Sequence, residues 1–303
     1  MMKTNVALVL SSGGARGIAQ IGAIQELLNR GFTITSVAGS SIGSLIGGFY
    51  ASGKLNDFTA WVCTLKRVDV FNLMDFTIST KGLIKAERVF KRMETIIPDV
   101  LIEDMNIPFA AVTTDIIKGK EKIFTNGSFY KAARASIAIP TIITSVYNNN
   151  TLLVDGGVLS PVPIRYVKRN FGDILVVVNL YHDLPADHKV NNLVGNEIFE
   201  NENNTFENSF IINSINCIQN RIGNVFPKGD KESQGYLKIL NLTTSLMTQR
   251  IADLQIDYAR PDITINIPRN SAGTFDFHKS KQLIEEGRIA ARKSIEEYNS
   301  QIL

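Results

Sequence analysis

Residues 36–52 read S-V-A-G-S-S-I-G-S-L-I-G-G-F-Y-A-S. A short apolar run, Ser36 to Ala38, enters Gly39-Ser40-Ser41-Ile42-Gly43, and an apolar, small-residue stretch from about Ser44 to Ser52 follows with helical character. A G-x-S-x-G segment between a strand and a helix is a nucleophile elbow. Its glycines permit a tight, strained turn that lifts the serine hydroxyl clear of the backbone at a helix N-terminus. There the helix dipole and unpaired N–H groups favour a developing negative charge. The register of the two glycines selects Ser41, not its neighbour Ser40, as the nucleophile.

Upstream, Val6 to Leu10 (V-A-L-V-L) is too short for a helix and is bounded by Ser11-Ser12-Gly13-Gly14-Ala15-Arg16-Gly17, so it reads as a buried strand. Ile18, Ile21, Ile24, Leu27 and Leu28 then recur at helical spacing over 18–30, and Gly31 stops that helix. The sequence of strand, loop, helix, strand, loop and helix is that of a parallel sheet with crossover helices. Further strands are predicted at 109–113, 122–124, 152–154, 174–179 and 263–267, with Lys118, Lys120 and Lys122 on a solvated hairpin. A helix over 132–137 is ended by Pro140. Helices are also expected over 236–254, with Ile239, Leu240, Leu242, Leu246, Met247, Ile251 and Leu254 on an apolar stripe, and over 279–298. Residues 186–235 are Asn-rich and carry no motif. Without repeats or a Pro- or Gly-rich linker, the chain is expected to be one α/β domain over 1–303. Its core covers about 5–185 and 250–300, with a helical cap or insertion over about 186–250.

The 303 residues are 44% hydrophobic and 20% charged, ordinary globular composition with chain enough for a sizeable core. A net charge of +3 with no clustered basic stripe excludes a nucleic-acid surface. Cys63 and Cys217 lie outside any metal or redox spacing and are expected as buried thiols, so no metal site or disulfide framework is predicted. No signal peptide and no apolar run of membrane-spanning length is expected, which makes the cytoplasm the expected compartment.

The loop Ser11 to Gly17 has two candidate chemistries. Consecutive glycines bring backbone N–H groups close to a bound phosphate or to an oxyanion. A dinucleotide loop needs G-x-G-x-x-G, but Ser12 stands where its first glycine should be, and the second strand ends in Ala38-Gly39-Ser40-Ser41 without an acidic residue. The G-K-[ST] of a nucleotide phosphate loop is absent as well. An oxyanion loop fits better, with no cofactor. Asp155-Gly156-Gly157, after the strand 152–154, is by itself a turn signal. A serine nucleophile nevertheless needs a base. His182, His188 and His278 all lack a strand-end setting with an acidic partner before them, and each reads as a surface residue. An aspartate becomes an adequate base if its site is dry enough to raise its pKa.

Taken in order, these segments resemble the patatin-like phospholipases. The family pattern is a G-G-G-x-[RK]-G loop, a G-x-S-x-G elbow and a D-G-[GA] segment. Here they read S-G-G-A-R-G at Ser12 to Gly17, G-S-S-I-G at Gly39 to Gly43 and D-G-G at Asp155 to Gly157. The likeness extends to T-T-D at Thr113 to Asp115, R-A-S-I-A-I-P at Arg134 to Pro140, and L-S-P-V-P after the D-G-G. It covers about Val6 to Leu180, and more loosely Ile251 to the C-terminus. The resemblance implies a three-layer α/β/α fold with a mostly parallel central sheet and a helical insertion. It implies Ser41 as nucleophile and Asp155 as its base, a catalytic dyad without histidine. Gly13 and Gly14, with Ile42 N–H as a further donor, would form the oxyanion hole, and Arg16 would order the loop. Asp115 occupies a recurring family position and is read as structural. One residue departs from the pattern: if the position of Ser12 requires φ > 0, serine is strained there and the oxyanion geometry altered.

The implied activity is hydrolysis of lipid carboxylic esters, phospholipid or lysophospholipid, through an acyl-serine intermediate. A catalytically weak lipid-binding or regulatory protein and an acyltransferase using the same dyad are the alternatives. Two readings of 186–250 stay open. One is a cap completing the core, which the Asn-rich composition favours. The other is a lid that admits acyl chains or rests transiently on a membrane surface, giving a peripheral location.

Overall fold

The computed structural model describes residues 4–77, 83–148, 150–182 and 231–302. In chain order its first half is β1 (Asn5–Leu10), α1 (Ala19–Asn29), β2 (Thr33–Ser40), α2 (Ile42–Ala51), α3 (Leu55–Val62), α4 (Arg67–Leu73) and α5 (Glu87–Glu94). There follow β3 (Phe109–Asp115), β4 (Lys120–Phe124), α6 (Phe129–Ser136), β5 (Val146–Asn148), β6 (Thr151–Asp155) and β7 (Ile174–His182). The chain continues with α7 (Lys231–Ala259), β8 (Ile263–Pro268) and α8 (Ser280–Ile302).

The layering follows from β1 alone. Its side chains alternate between the two faces of the sheet: Val6, Leu8 and Leu10 enter the larger apolar cluster, Ala7 and Val9 the smaller. A strand buried on both faces needs helices on both, hence the continuous apolar run in the sequence. β7 repeats the division, with Val176, Val178 and Leu180 on one side and Leu175, Val177 and Tyr181 on the other. Residues of α1, α2, α6 and α8 cover the larger face. Ala252, Ile256 and Ala259 of α7, with Val162 and Val167, cover the smaller. The result is the expected α/β/α arrangement.

Among the described residues eight strands form one mixed sheet, with β8, β7, β1, β2 and β3 pairing in parallel in that order. β4 pairs antiparallel with β3 along one edge, residues Ala111 to Asp115. The opposite edge of β3 is shared. Residues Phe109 to Val112 pair with β2, and Thr113 to Asp115 pair antiparallel with β6, which β5 extends. β2 and β6 therefore approach each other end to end along β3.

Several expectations are corrected. β2 begins at Thr33, earlier than expected, because Thr33 and Ile34 already pair with Asn5 and Val6 of β1; within it the Thr35 hydroxyl reaches Val6 O (3.1 Å) and Asp173 (2.9 Å). The apolar stripe of α7 is not its packed face: Ile239, Leu242, Leu246 and Met247 are exposed, and the helix rests on the core through Ala252, Ile256 and Ala259. Between Gly53 and Pro108, where no element was expected, the described residues include α3, α4 and α5. His182 and His278 are half-buried, not on the open surface, and Cys63 is likewise half-buried, with burial pushing its thiol up. Of the predicted cap, residues 186–230 lie outside the described residues, as do His188 and Cys217.

The closure of α8 on α1 depends on two glycines. A Cβ on Gly22 would lie 1.8 Å from Ile284 O, and one on Gly287 would lie 1.8 Å from Ala19 O. Each helix thus rests on the backbone of the other, a contact no side chain allows. Gly22→Ala or Gly287→Ala is expected to force the helices apart and lower stability by about 1–3 kcal/mol or more. Denaturant midpoints against wild type measure it, and Gly31→Ala is no control, since its φ of +84° adds backbone strain.

Candidate active site

The meeting of β2 and β6 on β3 brings two distant residues together. Ser40, the last residue of β2, pairs with Val112, and Asp155, the last of β6, pairs with Thr113, the next residue of β3. Ser41 follows at φ 54° and ψ −125°, a conformation that costs a side chain about 1–3 kcal/mol. Strain therefore sits on the serine itself. The elbow glycines serve a different purpose from the one expected, for neither has positive φ. A Cβ on Gly39 would lie 2.2 Å from Gly43 O, and one on Gly43 would lie 2.3 Å from Leu10 O. They are glycines because backbone passes against backbone at that point.

Several hydrogen bonds hold the elbow. Ser41 N–H donates to Ser136 Oγ at 2.9 Å, and the same hydroxyl donates to Val112 O at 2.6 Å. Ser41 O accepts from Ser44 N (2.9 Å) and Ser44 Oγ (2.7 Å). Ser136 belongs to the R-A-S-I-A-I-P segment, and Ala138 of that segment accepts from Asp155 N at 2.9 Å. One segment thus fixes the backbones of both residues. Sequence reasoning quoted the segment and assigned Ser136 no part; a small hydroxyl amid alanines on an otherwise apolar turn was the available signal. Arg134 steadies the segment through Thr144, donating to its carbonyl at 2.9 Å and its hydroxyl at 2.7 Å.

Ser41 Oγ donates to Asp155 Oδ2, and Gly157 N–H donates to Oδ1 at 2.7 Å. Both residues are nearly enclosed, at 4% and 5% exposure. Burial pushes the Asp155 carboxyl up to about 6, against the opposing pull of the bonds from Ser41 and Gly157. His278 faces Asp276 at 4.0 Å. Among the described residues no histidine bonds Ser41 or Asp155.

The glycine loop runs beside this pair. Ser12 N–H is bonded to Pro161 O and Ala15 N–H to Thr274 O, both at 2.9 Å. Among the described residues no backbone hydrogen bond uses the N–H of Gly13 or Gly14. Ile42 is the first residue of α2, where an N–H has no carbonyl within its own helix to reach. Arg16 donates through Nε to Gly13 O at 3.1 Å and through Nη1 to Arg269 O, tying the loop to the segment after β8. Positive φ falls on Gly14, at +60°, and not on Ser12, so the strain foreseen at Ser12 is absent. The Ser12 hydroxyl instead meets the hydroxyl of buried Tyr181, whose ionisation burial pushes up to about 12. Asp115, read as structural, caps the β3–β4 turn by accepting from Ile117 N (3.1 Å) and Lys118 N (3.3 Å).

Gly14, Ser41 and Ile42 face a cavity of about 130 Å³, while Gly13 turns towards Leu180. The rest of the wall is almost wholly apolar. It comes from α3, α4 and α5, from Ile137, Ile139 and Ile143, and from Thr274, Phe275 and Phe277. Among the described residues no cluster of three or more His, Cys, Asp or Glu side chains is placed to hold a metal, and no helix is long and apolar enough to cross a membrane.

The family model for patatin-like phospholipases matches residues 8–168. An uncharacterized NTE family protein of Mycobacterium tuberculosis is 30% identical over 97% of this chain and 92% of its own length. A lysophospholipase NTE1 of Cryptococcus neoformans is 32% identical over 57% of this chain and 11% of its own. The crystal structure of VipD from Legionella pneumophila superposes with a TM-score of 0.48 at 14% identity, over 98% of this chain and 67% of that one.

The raised carboxyl has a consequence for stability. Above the unfolded value of 3.8 the unfolded chain releases the Asp155 proton, whereas the folded chain keeps it up to about 6. The folded state binds more protons in that window, so this residue's contribution to stability falls as pH rises through it. Asp155→Asn is expected to match wild type near the bottom of the window and to exceed it by about 3 kcal/mol above its top. Thermal melts across that range test the sign: a variant no more stable than wild type at neutral pH would contradict the burial cost.

Proposed function

The chain belongs to the patatin-like phospholipase family, and we propose that it hydrolyses lipid carboxylic esters through Ser41 and Asp155. The observation that carries the reading is the enclosed Ser41–Asp155 hydrogen bond beside an apolar cavity. Ser41 Oγ attacks the ester carbonyl while Asp155 takes its proton. The carbonyl oxygen gains negative charge and is received by the N–H groups of Gly14 and Ile42, with Gly13 beside them and Arg16 holding the loop in place. Collapse expels the alcohol, which recovers the proton from Asp155, and leaves acyl-Ser41. Water activated by Asp155 then releases the fatty acid.

Two physical features support this assignment. An aspartate at its ordinary pKa is a poor base for a serine hydroxyl, and burial moves Asp155 upward to about 6. The apolar wall fits an alkyl chain and supplies no partner for a charged or hydroxylated acid. Phospholipid or lysophospholipid is the proposed substrate class. The weak-catalyst alternative drew on strain at Ser12, and that residue has an ordinary φ.

A fluorophosphonate probe is expected to label wild type and not Ser41→Ala. Ser41→Ala and Asp155→Asn should each lower kcat by at least about 10³-fold, the scale of losing a nucleophile or its base. Because Asp155 must be ionised to accept the proton, kcat/KM should fall as pH drops through about 6. A flat profile there, or labelling that survives Ser41→Ala, would remove the assignment.

A further inference from the structure

α4 is apolar on two sides. Val70 and Leu73, with Met74 just beyond the helix, line the Ser41 cavity. Val68 and Phe71, one helical turn apart, point outward at 59% and 49% exposure. Phe76, 40% exposed, lies against Phe71 with ring centroids 5.6 Å apart. The three form a continuous patch on the outer side of the helix that walls the cavity. Exposed cations lie on the neighbouring backbone: Lys66 and Arg67 enter α4, Lys85 hydrogen-bonds across to Asp75 O through its N–H (3.0 Å), and Arg88 lies on α5. The acidic side chains of this stretch are largely engaged. Asp69 accepts from Lys66 N, and buried Asp75 accepts from Glu87 N and Arg88 N, each as a helix cap. Glu87 is the exposed carboxylate among the described residues of 66–88.

We propose that Val68, Phe71 and Phe76 dock on an anionic phospholipid bilayer, with Lys66, Arg67, Lys85 and Arg88 meeting its headgroups. Aromatic and aliphatic side chains enter the headgroup–acyl boundary, and cations around them add attraction to anionic lipid. Docked in this way, α4 has lipid on one side and the Ser41 cavity on the other. An acyl chain would then pass from bilayer to cavity around a single helix without crossing bulk water. The exposed stripe of α7 does not offer the same route: among the described residues no α7 side chain lines the cavity. The purpose of the docking rests on the hydrolase reading, but the docking itself does not.

The test uses the full chain with vesicles of phosphatidylcholine, with and without phosphatidylglycerol. Wild type is expected to co-sediment with the anionic vesicles and to release at high salt, since screening weakens surface attraction. Val68→Asp/Phe71→Asp should lower that partition at least about tenfold, given two apolar side chains withheld from lipid. Lys85→Glu/Arg88→Glu should lower it on anionic vesicles alone. Unchanged melting curves and fluorophosphonate labelling of Ser41 in both variants would show that fold and site are intact. Wild type that ignores both vesicle types, or variants that bind as wild type does, would overturn the docking surface. Absent labelling in wild type with partition preserved would instead sink the hydrolase reading and leave the surface standing.

Discussion

The site depends on one shared edge. β3 gives its first residues to β2 and its last to β6, and because those strands run in opposite directions their C-terminal ends converge. Ser40 and Asp155 then pair with consecutive residues, Val112 and Thr113. Side chains that are 114 positions apart in sequence are thereby fixed by backbone registry. Val112 O sits at the junction, accepting from Ser136 Oγ and leaving no room for a side chain at Gly156, whose Cβ would lie 2.2 Å away. A slip of one residue in either pairing would turn a side chain to the other face of the sheet, since the strand period is two. The arrangement is in this sense all or none.

Such a site opposes stability in two ways and is held by the rest of the fold. Ser41 sits in a conformation that L-residues avoid, and Asp155 is ionised at neutral pH in a place where charge is disfavoured. What opposes both costs is mostly backbone: Gly157 N–H on the carboxylate, Ala138 O on Asp155 N–H, and the serine's own carbonyl bonded into α2. Two side chains outside the pair join in, Ser44 Oγ on the Ser41 carbonyl and Ser136, which spends its hydroxyl on two backbone groups. Backbone groups inside a sheet and a helix start do not change rotamer. On the proposed reading they suit an aspartate that has only one hydrogen bond with which to aim the serine.

The parts legible in the sequence are those where backbone geometry restricts residue choice. Gly39, Ser41 and Gly43 announce the elbow because no other residues fit at the glycines, although the reason is close passage of backbone and not the positive φ that glycine usually signals. The strands β1 and β7 are legible because burial on both faces demands an unbroken apolar run. Asp155 is legible only in company, since an Asp before two glycines is in most chains a turn. Illegible were the shared edge of β3, which arises from pairing between distant segments, and the part played by Ser136. The stripe of α7 misled for a physical reason: helical periodicity shows that an apolar face exists, but not which residues of it meet the core. Ala252 and Ala259 are small enough for close approach to the core, with Ile256 packed beside them, whereas Leu242 and Leu246 stay exposed.

Chemistry and selectivity are consequently written in different kinds of sequence. On the proposed reading, the reacting groups and the N–H groups beside them come from short, glycine-bearing segments whose residues are dictated by backbone clearance. The cavity wall comes from α3, α4 and α5, a stretch without glycine clusters or fixed polar residues. There the requirement is only that the residues be apolar and of suitable volume, and many combinations satisfy it. Changes in that stretch can therefore alter the shape of the cavity without disturbing Ser41 or Asp155. Ser12 shows the same separation inside the glycine loop: its φ is ordinary, so the backbone permits a side chain, and the hydroxyl finds Tyr181. Gly14, at φ +60° with Thr274 backbone 3.0 Å from where its Cβ would be, has no such freedom. Gly13 and Gly17 are crowded too, by the side chains of Leu180 and Ile42, so each glycine of the loop has its own neighbour to clear.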